Sequence, residues 1–176
     1  MAQVRYEVPL VWQAANPICW VCSCAMVESW GTNVNTGVSK YTGFDPSNSC
    51  IPNPANDWDG CVQFMNKWGF DVYSSQGLAD NGFILTVDDL GNALSSRGPI
   101  VLLHFCKDFP YGSQWGPVND PNAAHAVVIT GVDSNQGIVW FNNPWGDKDQ
   151  VAVAQPVLDH INLGGRQNMG FWRSTS

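Results

Sequence analysis

Cys19 is the residue whose place in the sequence points most directly to chemistry. It follows Asn16-Pro17, a pair typical of a helix start, because asparagine caps a first turn and proline suits its first position. We therefore predict a helix here that stops near Gly31. Backbone N–H groups and the helix dipole favour negative charge at such a position, so we expect a lowered thiol pKa. The alternative is that Cys19 is a small buried apolar residue.

His125 is the histidine best placed to serve as a base. It opens the β-branched run HAVVITGVD, and a histidine at the mouth of a strand could face a cleft. With a reference pKa of about 6.5, imidazole can accept and then return a proton near neutrality. His104 lies inside the apolar run IVLLHF, and His160 follows the last clear strand, so both are weaker candidates. A lone histidine would more often be structural than catalytic.

Asn143 lies in the turn sequence NNPWG, which follows the strand next to the one that His125 opens. The two residues can therefore meet in space. An asparagine carbonyl oxygen can accept the imidazole N–H, which fixes the tautomer and aims the other ring nitrogen at a thiol. Trp145 could shield this hydrogen bond from water. Taken alone, the sequence would indicate an ordinary turn.

Gln13 lies six residues before Cys19, close enough to return to the same site through the intervening turn. Its side-chain amide and the backbone N–H of Cys19 could together donate two hydrogen bonds to a developing oxyanion. An isolated glutamine in a loop is usually solvated surface, so this prediction depends on the combination of residues.

These four residues together resemble those of the papain-like cysteine peptidases. In that family a glutamine precedes a Cys-Trp pair at the same interval, and an Asn-x-Trp-Gly block follows the histidine. The closer resemblance is to compact bacterial branches, the C39-like peptidases and the AvrRpt2-type effectors. It is carried by VPLVWQAANPICW, by the methionine of CAMVESW, and by HAVVITGVD followed by NPWG. It extends from Val8 to about Trp145, with little in the middle.

The resemblance implies a cysteine endopeptidase that hydrolyses peptide bonds of protein substrates without a cofactor or metal. Cys19 would be the nucleophile, His125 the base, Asn143 its orienting partner and Gln13 an oxyanion donor. Substrate-binding aromatic walls, one of them Trp145, would admit glycine or other small residues beside the cut.

The second predicted wall of that substrate cleft is Trp20, which directly follows the nucleophile. Two departures from the family are visible. The C39-like branch usually has aspartate where Asn143 stands, and either residue can orient a histidine. Fewer residues separate Cys19 from His125 in the sequence than the roughly 130–150 that separate the cysteine from the histidine in papain and the cathepsins. The C-G-[SA]-C-[WY] signature of those enzymes is also absent. We therefore expect a minimal member of the fold.

Other functions stay open on sequence grounds. Deamidation or transglutamination of protein glutamine uses the same Cys-His-Asn machinery, and a catalytically silent papain-like binding module would keep the same fold. Cys19-Trp-Val-Cys22 is also a C-x-x-C motif, which in redox enzymes follows a buried strand; the segment before it here is polar and contains proline. A zinc site would need a second regularly spaced ligand pair, which the cysteines do not supply.

The amino-acid composition of the chain limits the classes of molecule that it is expected to bind. The chain has 176 residues, 44% hydrophobic and 13% charged, with a net charge of −7 and no Lys/Arg cluster, so nucleic-acid binding is not expected. No run is apolar for the roughly 20 residues that a membrane span needs, and the N-terminus lacks the pattern of a signal peptide.

We read most of the six cysteines as reduced thiols, although a Cys50–Cys61 bridge would be compatible with export. A small acidic domain of this kind resembles effector or toxin peptidases delivered into another cell, which often have a cognate inhibitor or immunity protein.

The order of the predicted elements indicates an α+β fold. Asp57 and Thr86 are expected to cap two helices, the second through a capping box with Asp89. After residue 98 the pattern changes to short β-branched runs, two of them joined by the turn at 134–137 as an antiparallel hairpin. We expect a single papain-like domain over 1–176, with a helical lobe at about 1–98, an antiparallel β lobe at about 99–176, and the site in the cleft between them.

Overall fold

The computed structural model describes residues 3–14, 18–33, 38, 57–74, 84, 86–105, 124–162 and 169–174. The α-helices in these ranges are α1 (Cys19–Thr32), α2 (Trp58–Asn66), α3 (Val87–Arg97) and α4 (Ala154–Asn162). The strands are β1 (Gln3–Arg5), β2 (Phe70–Ser74), β3 (Ile100–Phe105), β4 (Ala124–Asp133), β5 (Ile138–Asn143), β6 (Asp147–Val153) and β7 (Met169–Arg173). None of the described helices is long and apolar enough to cross a membrane.

Helix α1 begins at Cys19, which therefore lies in its first turn, as predicted. Its capping residue is Ile18, whose side chain makes no capping hydrogen bond. The predicted start at Asn16-Pro17 falls on residues that the structure does not describe. The helix continues one residue past Gly31 and ends at Asn33, whose φ of 54° is the left-handed conformation typical of a helix end.

Helices α2 and α3 are capped as the sequence predicts. The Asp57 side chain accepts a hydrogen bond from the backbone N–H of Gly60 at 2.9 Å. The Thr86 hydroxyl accepts from the Asp89 backbone N–H at 3.1 Å, and the Asp89 carboxylate accepts from the Thr86 backbone N–H at 2.8 Å. These reciprocal bonds form the predicted capping box.

The described strands form one antiparallel sheet in the order β2-β7-β3-β4-β5-β6, and β1 pairs with β4 beyond the end of β3. The predicted hairpin is confirmed, since β4 and β5 pair on either side of the turn at 134–137. Strand β6 pairs with β5 and ends the sheet on that side. The register shifts once between β4 and β5 and once between β5 and β6, which changes the local direction of the strands.

Helices cover both faces of the sheet. Ala126 and Val128 of β4 belong to a core that they share with α1 and α2, whereas Val127 and Ile129 belong to a second core shared with α3 and α4. This alternation follows from the two-residue period of a strand. The predicted α+β class is confirmed. The strands nevertheless come from both sides of residue 98, because β1 and β2 join the sheet, and α4 lies in the half expected to be β.

Candidate active site

Cys19 lies where the start of α1 meets the start of β4. The residue is half-buried, and its sulfur is hydrogen-bonded by the backbone of Ala126 and of Trp20. One turn later the buried Ser23 hydroxyl donates to the carbonyl oxygen of Ala126 at 3.3 Å. The two contacts hold the start of α1 against Ala126, the residue that follows His125 in sequence. Sequence analysis missed Ser23, whose signal was a hydroxyl within an otherwise apolar helix.

Burial raises the pKa of the Cys19 thiol above its ordinary value. Hydrogen bonds from the backbone of Ala126, Trp20 and Cys19 itself act in the opposite direction but are outweighed. The expectation of a lowered pKa is therefore wrong, because it considered the helix terminus and not the loss of water around the sulfur. The neutral thiol is the favoured form, so a base must remove its proton before it can attack a substrate.

His125 is held by Asn143. The imidazole is 3% exposed, and its Nε2 lies 2.9 Å from the Asn143 side-chain oxygen Oδ1. The backbone N–H of Trp145 donates to the same oxygen at 3.1 Å. A backbone N–H can only donate, so the atom that it contacts must be the amide oxygen and not the amide nitrogen. The imidazole nitrogen that shares this oxygen must therefore carry a proton.

This arrangement leaves Nδ1 of the neutral His125 ring as the unprotonated nitrogen, the one that can accept a proton. The Asn143 amide nitrogen Nδ2 is buried and makes no hydrogen bond within the described part of the chain. Its oxygen is thus the end of the side chain that is engaged. Sequence analysis predicted this contact, and the structure brings the two residues together.

The Trp145 ring covers the imidazole. The centroids of the His125 and Trp145 rings are 4.1 Å apart and their planes differ by 22°, which is a stacked arrangement. An aromatic face at this distance excludes water from the hydrogen bond between His125 and Asn143. A shielded hydrogen bond is stronger than one in water, so the stack helps to fix the ring orientation.

The buried state of His125 makes a prediction about pH and stability. Burial lowers the pKa of His125 to about 4 from its ordinary 6.5, and the hydrogen bond to Asn143 opposes this shift. Between these values the unfolded chain binds more protons than the folded chain, so stability falls as pH falls through this window. The shift corresponds to roughly 3 kcal/mol of unfolding free energy. Denaturant unfolding of wild type and His125→Gln, at about pH 7 and about pH 4, measures it. The variant should lose less stability on acidification, and equal losses would contradict the prediction.

Gln13 is attached to the same turn. Its backbone N–H donates to the carbonyl oxygen of Pro144 at 2.9 Å, one residue after Asn143. The next residue, Ala14, has a φ of 52°, a left-handed conformation that is strained for alanine. The chain therefore bends sharply directly after Gln13 and is fixed to the turn that carries the partner of the histidine.

Asn142 is a site residue that sequence analysis did not identify. It is fully buried, and its amide nitrogen donates to the carbonyl oxygen of Val8 at 2.9 Å. Its amide oxygen accepts from the backbone N–H of Asp149 at 2.9 Å. Asn142 thus connects the segment that leads to Gln13 with both strands of the β5–β6 hairpin. A polar residue ending an apolar strand was the available signal, but it is also typical of a turn.

The comparison with known families decides what this arrangement belongs to. The model of the family described as papain-like cysteine protease AvrRpt2 matches residues 2–156, which is most of the chain. The matched range contains Gln13, Cys19, His125 and Asn143. The chain belongs to this protease family. It is a papain-like cysteine peptidase, and proteins are its substrates.

The fold of the protease is shared with a solved structure. A protein from Bacillus anthracis, described as a C39-like peptidase, is similar over 100% of both chains with a TM-score of 0.62 and 14% sequence identity. At this identity the likeness concerns the fold alone. No curated protein matches the chain.

Trp20 lies in the core of the protease and not at its surface. Its side chain is 3% exposed and packs edge-to-face on Phe64 of α2, with ring centroids 5.5 Å apart. We therefore give Trp20 a packing role and take its predicted contact with substrate no further. Trp145, the other predicted wall, is partly exposed beside His125.

The remaining histidines and cysteines were weaker candidates. His104 pairs in register with His125 across β3 and β4, and His160 lies in α4; their side chains are not among those described. Cys22 is fully buried, and burial raises its pKa to about 12. Cys61 is a buried reduced thiol in the structure, which does not support the predicted Cys50–Cys61 bridge. Cys50 itself falls in a range that the structure does not describe.

Proposed function

We propose that the protease cleaves peptide bonds with Cys19 as nucleophile, His125 as base and acid, Asn143 as its orienting partner and Gln13 as an oxyanion donor. The observation that carries this proposal is the Asn143 side-chain oxygen, shared at 2.9 and 3.1 Å by the imidazole of His125 and the backbone N–H of Trp145. That contact selects the tautomer in which Nδ1 can act as a base. The Cys19 thiol is hydrogen-bonded by the backbone of Ala126, the residue directly after His125.

The first half of the reaction forms a thioester. Nδ1 of His125 takes the proton from the Cys19 sulfur as the sulfur attacks the carbonyl carbon of the scissile bond. The carbonyl oxygen gains negative charge and accepts hydrogen bonds from the backbone N–H of Cys19 and the side-chain amide of Gln13. The imidazolium then gives its proton to the departing amine. The C–N bond breaks and the acyl group stays on sulfur.

The second half of the reaction regenerates the enzyme. The neutral His125 takes a proton from a water molecule, whose oxygen attacks the thioester carbon. The C–S bond breaks, the product leaves as a carboxylic acid, and the sulfur recovers a proton from the imidazolium. Because its pKa is lowered, the His125 ring is neutral over the physiological pH range, and its unprotonated nitrogen can accept a proton.

For substrate choice we propose cutting next to glycine or another small residue. Trp145 stacks on the catalytic imidazole, so a bulky side chain beside the scissile bond would meet the indole. We further propose that the protein acts as a bacterial effector or toxin delivered into another cell, with an inhibitor or immunity protein where it is made. This part is supported by the family likeness alone.

The proposed function is tested by mass spectrometry of a whole-cell protein extract incubated with the wild type or with Cys19→Ala. New peptide termini that depend on Cys19 support proteolysis. Glutamine deamidation or crosslinking without new termini would replace proteolysis by the related acyl-transfer chemistries, and no change would leave a silent binding module.

Cys22→Ala is the matched control for that experiment. It removes the second thiol of the C-x-x-C motif from a fully buried position, and alanine is small enough to be placed there without overpacking. Cleavage should persist in this variant. Loss of cleavage with an unchanged melting temperature would favour the redox reading of Cys19 and Cys22.

A further inference from the structure

Trp12 is a large apolar side chain left at the surface beside the candidate site. Its side chain is 65% exposed, whereas that of Trp20, which directly follows Cys19 in sequence, is 3% exposed. Trp12 directly precedes Gln13 in sequence. An exposed tryptophan contributes little to the stability of the fold, so folding stability does not explain why a tryptophan stands at this position.

Contacts place the Trp12 indole against the turn that holds the catalytic histidine. A side-chain carbon added at Gly146 would lie 3.6 Å from both Cδ1 and Nε1 of the ring. Gly146 follows Trp145, the residue stacked on His125. The backbone of Gln13 is bonded to Pro144 in the same turn, which fixes the segment carrying Trp12.

The chemistry of the proposed reaction indicates which part of the substrate would lie against Trp12. His125 must deliver a proton to the leaving amine, so the part of the substrate that follows the cut lies on the side of His125. Trp145 stacks on the imidazole and Trp12 lies against Gly146, the next residue of the same turn, so we take both indoles to belong to the His125 side of the site. An extended chain advances roughly 3.3–3.6 Å per residue, so we place the side chain that meets Trp12 at the second or third position after the cut, past the one that meets Trp145.

We propose that Trp12 is a specificity-determining residue that binds a large apolar or aromatic side chain at the second or third position after the scissile bond. This inference rests on the proposed function. The exposed indole face offers an apolar contact whose burial favours binding, and aromatic partners add a further ring contact. The proposal is compatible with a small residue directly at the cut, because the two positions contact different tryptophans.

The test uses a library of peptides, obtained by cutting a cell extract after glutamate so that lysine and arginine stay inside the peptides, which is then incubated with the protease. Mass spectrometry of the new termini gives the residue frequencies on both sides of the cut. Wild type should enrich leucine, phenylalanine and similar residues at the second or third position after the cut. Trp12→Ala should reduce that enrichment roughly tenfold, while preferences before the cut stay unchanged. Trp12→Phe should keep most of it, because it restores an aromatic face.

Val153→Ala is the matched control, since Val153 is 61% exposed but lies on the edge strand β6. It should cut with the wild-type preferences. Enrichment that survives in Trp12→Ala, or a preference for lysine or arginine at these positions, would overturn the assignment of Trp12 and leave the peptidase intact. If no cleavage depended on Cys19, the result would instead contradict the proposed function itself.

Discussion

Replacing His125 with alanine should lower kcat/KM by roughly 10²–10⁴, because proton transfer is needed in both halves of the reaction and the variant lacks the proposed base. Asn143→Ala should cost less and leave measurable turnover, since the imidazole would still be present but free to rotate and to adopt the other tautomer. Steady-state kinetics on a peptide cut by the wild type, with folding checked by circular dichroism, gives both values.

His104→Gln is the matched control for that series, because His104 is the register partner of His125 on the neighbouring strand. It should retain activity if it folds, as should His160→Gln. If His104→Gln abolished turnover in a folded protein while His125→Ala did not, the assignment of the base would be wrong. A larger loss for Asn143→Ala than for His125→Ala would show that the asparagine does more than orient the ring.

Gln13→Ala should lower kcat by roughly 10²–10³ with little change in KM or in unfolding free energy. The reason is that the amide is proposed to bond the oxygen only after it has become charged, so its loss raises the transition state and not the bound substrate. The same kinetic assay separates kcat from KM.

Gln13→Glu tests whether the amide acts as a donor. Glutamate has nearly the same shape but presents only acceptor oxygens when ionised, so its activity should fall at least as far as that of alanine. Gln3→Ala, an exposed glutamine earlier on the same segment, should behave as wild type. A change confined to KM in Gln13→Ala would assign the side chain to substrate binding and remove it from the oxyanion site.

Local signals were sufficient for α2, for α3 and for the hairpin of β4 and β5. The capping box of Thr86 and Asp89, the cap at Asp57 and the turn at 134–137 each involve residues three or four positions apart. Such contacts form within one turn of chain, so their sequence pattern carries most of the information. The sequence likewise placed Cys19 in the first turn of a helix, although its predicted start at Asn16-Pro17 lies outside the described residues.

The candidate site was predictable as a set of residue types but not as an environment. The sequence placed Asn143 on the strand next to that of His125, and the chemistry of an amide and an imidazole indicated their contact. It did not indicate that Asn142, the residue beside it, would be buried and bonded to Val8. The register shift between Phe141 and Asn143 gives the two asparagines different surroundings, and such an irregularity has no local sequence signal.

By itself the sequence determined which groups could react, their order along the chain, the α+β class and the position of Cys19 in the first turn of a helix. Only the tertiary structure decided that Trp20 is buried, that Trp12 is exposed, and that burial raises the pKa of Cys19 and lowers that of His125. The physical reason is that exposure and desolvation sum over every neighbour of a group, and most of those neighbours come from distant parts of the chain. Capping and turn formation depend on a few adjacent residues, whereas the electrostatics of the site depend on how α1 packs against β4 and on the turn that holds Asn143.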